Sequence, residues 1–90
     1  MPRISEFYGI AIYMYNRMYY RDHAPPHFHA IYGEHEAVVD IGAVTVREGH
    51  LPRRAWALVA EWATTYRDDL MRNWHLAGTG QPLEPIAPLD

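Results

Sequence analysis

Apolar and polar positions follow two rhythms along the 90 residues. Up to about residue 48 the apolar residues come in short blocks or alternate; beyond residue 52 they recur every three to four. Residues 7–15 (FYGIAIYMY) are rich in aromatic and β-branched side chains and apolar on both faces, which predicts one covered strand. Asn16-Arg17 are expected to bend it before Met18-Tyr19-Tyr20. Pro25-Pro26 then forbid regular pairing and impose a stiff, extended approach. Residues 27–32 and 35–41 read as two strands joined by Gly33-Glu34, a Gly-X pair that signals a two-residue type II′ turn. Gly42 breaks the second of these, and residues 43–48 (AVTVRE) supply a further strand.

The second half is helical. Pro52 suits a first helical position. From there Trp56, Val59, Trp62/Ala63, Tyr66, Leu70 and Trp74 form an amphipathic stripe over about 52–77. A continuous helix would run about 37 Å, with Thr64-Thr65 the place where it would bend or split, and Gly78 or Gly80 ends it. The tail QPLEPIAPLD reads as an extended strap, over 78–90, that packs Leu83 and Ile86. The expectation is an α+β fold in a single domain, 1–90. A small antiparallel meander of three or four strands (about 7–48) is packed by one long C-terminal helix.

Composition adds limits. Almost half the residues are hydrophobic and 13% are aromatic, which belongs to a globular chain. A chain of this size buries roughly 60–65% of its unfolded surface, so it folds with little margin. No cysteine is present, which excludes disulfides, thiolate nucleophiles and cysteine zinc sites. The apolar runs are too short for a membrane span, and the first residues lack the apolar block of a signal peptide, so the cytoplasm is expected. The net charge of −3 does not favour a dedicated nucleic-acid binder. All eight cations are Arg, however, and Arg53-Arg54 can form a local phosphate contact.

The candidate chemistry lies in RDHAPPHFHA, residues 21–30, with three histidines in seven positions. If Gly33 and Glu34 are the loop, Tyr32 faces His35 and paired positions sum to a constant. Strand alternation then puts Phe28, Ala30 and Tyr32 on one face with Val39, Ala37 and His35. The other face gathers His27 opposite Asp40, His29 opposite Val38, and Ile31 opposite Glu36, with His23 arriving from the Pro-Pro approach. A His across from an Asp can be held in one tautomer, as a general acid or base requires. Two His with a carboxylate also suffice for a divalent metal such as Zn²⁺. Against both stands the ordinary use of strand histidines as solvent-facing or hydrogen-bonded residues. His35 is assigned to hairpin packing, His50 and His75 to the surface.

Other chemistry falls away. His27-x-His29 with Glu34 and Gly42 beyond nearly copies the first metal motif of cupin barrels. Yet no second His-bearing motif follows, and the chain is too short to close such a barrel. There is no Gly-rich phosphate loop, no G-x-S-x-G elbow and no H-E-x-x-H.

The head MPRISEFYGI, the box DHAPPHFH, the hairpin YGEHEAVVDI and the helix LPRRAWALVAEWATTYRDDLMRNWHLA resemble a family of short bacterial proteins catalogued as a domain of unknown function. The resemblance covers nearly the whole chain, departing near residues 15–20, where a few extra residues precede the box. It implies one half of a two-gene, toxin–antitoxin-like cassette, partnered by a small protein encoded nearby. It carries over no catalytic residues.

Three functions remain open. In the first, His23, His27, His29 and Asp40 form a catalytic site for cofactor-free RNA cleavage, with Arg21 or Arg53 steadying phosphate charge. In the second, the same four residues bind a divalent metal. In the third, exposed aromatics such as Tyr13, Tyr15, Tyr19 and Tyr20 form a partner or homodimer surface.

Overall fold

The computed structural model describes residues 2–15 and 25–90. Five strands form one antiparallel sheet in the order β1-β2-β3-β4-β5, and two helices follow. The strands are β1 (Arg3–Phe7), β2 (Ile10–Tyr13), β3 (His27–Tyr32), β4 (His35–Asp40) and β5 (Thr45–Gly49); the helices are α1 (Arg53–Thr65) and α2 (Arg67–Gly78). The α+β meander is the expected class, with five strands where three or four were expected and two helices where one was.

The extra strand, β1, lies ahead of the segment 7–15 read as one strand, so the sheet begins at Arg3 rather than about residue 7, and a turn shortens the expected strand to β2. Phe7 pairs with Ile10, and Tyr8 and Gly9 close the loop with φ of 50° and 78°. Two successive positive φ values belong to a type I′ turn, usually signalled by Asn-Gly or Asp-Gly. A tyrosine in the first position hid it. The expected bend at Asn16-Arg17 and the segment Met18-Tyr19-Tyr20 lie outside the described residues.

The β3–β4 hairpin has the expected register. His27 pairs with Asp40, His29 with Val38 and Tyr32 with His35. Gly33 takes φ 58° and Glu34 stays at negative φ, as a type II′ turn demands. Beyond Asp40 the chain turns through residues 41–44, and β5 runs back along β4 with a register shift between Val38 and Val39.

The helix divides at Tyr66, whose φ of −108° and ψ of 27° leave the helical region. Thr64 and Thr65 each donate a hydroxyl hydrogen bond to the carbonyl four residues back, Ala60 at 2.8 Å and Glu61 at 3.0 Å. Such bonds bend a helix by pulling carbonyls off the axis. Residue 66 is therefore where the single expected helix breaks.

Phe28, Ala30, Ala37 and Val39 are fully buried on one face of the sheet with Ile10 and Ile12. Trp62, also fully buried, meets Phe7 at 5.2 Å and Phe28 at 5.8 Å between ring centroids. Val59, Ala63 and Leu70 complete the helical side, and Tyr66 is half-buried. The tail is a strap: Ile86 donates its N–H to the Ile4 carbonyl at 2.8 Å, and Ile86 is buried and Leu83 packed against the core. Among the described residues no helix is long and apolar enough to cross a membrane.

Candidate functional site

Alternation along β3 sets the site. Phe28 and Ala30 point into the core, so His27 and His29 share the opposite face, and both are half-buried. Each imidazole is tethered through Nδ1. His27 Nδ1 lies 3.0 Å from the Pro25 carbonyl oxygen, and His29 Nδ1 lies 3.1 Å from Glu36 Oε2. A carbonyl and a carboxylate only accept, so both Nδ1 atoms carry the proton and donate it. In the neutral rings the lone pair is then on Nε2 in both cases.

The two rings stand edge to face, 5.7 Å apart at 65°. Tyr15, two residues beyond β2, lies flat on His29 at 5.0 Å and 14°. His27 also meets Trp74 of α2 at 4.9 Å. The His29 side chain is only 11% exposed, and its Nε2 is buried without a hydrogen-bond partner among the described residues. A buried polar nitrogen left without a partner is unusual and costly.

The other expected site residues are placed differently. Asp40 is the cross-strand neighbour of His27, but its Oδ1 accepts the Ala43 N–H at 3.3 Å and so caps the turn after β4. No hydrogen bond joins Asp40 to His27 among the described residues. Glu36 takes the carboxylate role instead, for His29. It lies diagonally across β4, two residues from Val38, within the reach of a long side chain on the same face. Arg53 opens α1 beside Arg54, whose side chain lines a groove with Tyr32 at the turn end of β3. That end is about 17 Å along the strand from His27, so Arg53 is not brought to the histidines. His23 and Arg21 lie outside the described residues. Among the described residues no group of three His, Asp or Glu side chains converges as a metal site.

The surrounding aromatic partners were not foreseen. Trp74 continues the core stripe, and nothing in its spacing marks it as the residue that reaches His27. Tyr15 lies where two-residue alternation from Tyr13, the partner of His29, would place it. Tyr13 and Tyr15, expected to be exposed, are half-buried, and Tyr19 and Tyr20 lie outside the described residues. His35, expected to pack the hairpin, is exposed with its ring 5.8 Å from His50.

No curated protein and no solved structure matches the chain. Residues 9–75, well over half of it, match the family described as "Domain of unknown function (DUF4160)", and the chain belongs to that family.

Proposed function

We propose that the chain is the RNA-acting member of a two-gene, toxin–antitoxin-like module, with His27 and His29 as a paired acid and base. The module rests on the likeness of the DHAPPHFH box, and the partner is a small protein encoded nearby. The chemistry rests on one observation: two imidazoles 5.7 Å apart, each oriented by an Nδ1–H donation that puts the lone pair of the neutral ring on Nε2. That spacing suits two groups flanking a phosphodiester. One Nε2 takes the ribose 2′-hydroxyl proton as the 2′-oxygen attacks phosphorus. The other, arriving protonated, delivers a proton to the departing 5′-oxygen. The products are a 2′,3′-cyclic phosphate and a free 5′-hydroxyl. Glu36 holds the His29 ring in one orientation, and His27 is the first of the two to meet substrate. His29 is reached when the Tyr15 ring moves off its face.

The buried Nε2 of His29, without a partner among the described residues, favours a second reading, a divalent metal-binding module. Metal-bound histidines characteristically donate the other ring N–H to a carbonyl or carboxylate, as both do here. Two imidazoles on one tetrahedral ion hold their ring centroids about 5 Å apart.

Protein purified without a histidine tag separates the two. Under the first reading it degrades RNA to cyclic-phosphate ends in the presence of a chelator, and His27→Ala lowers the rate by about 10²–10⁴-fold. Growth arrest on expression without the partner gene disappears in the same variant. Stoichiometric metal that His27→Ala removes, with growth unaffected and no cleavage, would replace the acid/base reading by the metal one.

A further inference from the structure

A second site lies at the other end of β3. Tyr8, Tyr32, Pro52, Arg54, Leu58 and Ile10 line a groove of about 390 Å³ between the β1–β2 turn and the start of α1. That is the size of a small-molecule site. Its walls are apolar apart from one cation and two phenol tips. Tyr8 is 59% exposed and Tyr32 38%, a pair of large aromatic faces left to solvent in a chain that buries most of its hydrophobic bulk.

Two features say the tyrosines are placed there. Tyr8 sits at φ 50°, in the first position of a turn where Asn or Gly would be unstrained. Strain of this kind clusters at ligand clamps and other functional sites. Tyr32 is fixed from beneath, its ring lying over Gly9, where an added Cβ would be 3.6 Å from Cε1. Arg54 is the complement: it makes no ion pair among the described residues, and neither it nor Arg53 has an acidic residue beside it in the first turn of α1.

We infer that this groove binds a nucleotide, its base against Tyr8 and Tyr32 and its phosphate at Arg54. Aromatic side chains accept the π-face of any base, and a guanidinium matches phosphate with two parallel donors. The net charge of −3 does not oppose this, because Arg53 and Arg54 are in no ion pair among the described residues. The nucleotide is either free or one unit of single-stranded RNA. The inference does not rest on the histidine reading, since the groove shares no residue with the tethered pair.

The test is calorimetric titration of the intact chain with adenosine 5′-monophosphate and with a six-nucleotide single-stranded RNA. Saturable binding of the mononucleotide assigns a free nucleotide; saturable binding of the RNA alone assigns the strand. In either case Arg54→Gln and Tyr32→Leu each weaken the interaction at least about fivefold, and His27→Ala leaves it unchanged. Tyr8→Asn is the decisive variant, because it relieves the turn: the melting temperature rises while affinity falls. No saturable binding of either probe, or affinity indifferent to Arg54 and Tyr8, overturns the inference and leaves RNA cleavage at His27 untouched.

Discussion

Gly33 and Gly49 both hold positive φ, 58° and 80°, yet they differ in the space around them. A Cβ at Gly33 would meet nothing within 4 Å, whereas one at Gly49 would overlap the Glu36 carbonyl oxygen. Gly33→Ala therefore suffers only the backbone penalty of a side chain at the positive-φ position of a type II′ turn, about 1–3 kcal/mol. Gly49→Ala adds a backbone collision and should exceed it clearly in denaturant titration; equal losses would mean β5 can slide away from β4. Glu36 gives the Gly49 variant a second readout, since it also orients His29. The side of the sheet taken by His27 and His29 was legible at this scale. Gly33-Glu34 fixes the register, and a period of two does the rest. Their partners were not legible. Asp40 is opposite His27, but a carboxylate near a turn has a competing backbone donor, here Ala43, and pairing geometry does not show which acceptor wins.

At the scale of elements, helix division and strap are linked through α2. The kink at Tyr66 was partly readable, because consecutive threonines invite back-bonding to their own helix. The Tyr8-Gly9 turn was not, because an aromatic residue at positive φ contradicts turn statistics. Asn73 is a case where composition misleads: a polar residue on α2 is fully buried, 1% exposed. Its amide donates to the Glu84 carbonyl and accepts the Glu84 N–H, both at 2.8 Å, as a strand partner would. Asn73→Ala leaves both backbone groups without that partner and should cost about 1–3 kcal/mol. Hydrogen exchange at the Ile86 amide should speed up in the same variant, since that bond to Ile4 lies two residues further along the strap. An unchanged exchange rate would show that the strap is held by Ile86 burial instead.

For the whole molecule the issue is what closes an open five-stranded sheet. An open sheet has two edges, and an uncovered edge invites pairing with another chain. At one edge, β5 is exposed throughout and carries Arg47 and Glu48 beside the register shift against β4, features that discourage such pairing. The other edge, β1, is met by the strap, through the Ile86 to Ile4 bond. The strap also accepts the Trp62 indole N–H at the Ala87 carbonyl, 2.8 Å away, so the central core residue is tied to the extended strap. Deleting residues 82–90 removes that acceptor, both Asn73 contacts and the buried Ile86 together. Each lost buried hydrogen bond is worth about 1 kcal/mol or more, and burying Ile86 about 1.5–3 kcal/mol. Small domains have only about 5–15 kcal/mol in total, so a marked fall in melting temperature is expected. The bared β1 edge should at the same time cause self-association visible by light scattering. A truncated chain that melts at the same temperature and stays monodisperse would show that β1 protects its own edge, through Arg3 and Glu6, whose side chains pair at 2.8 Å.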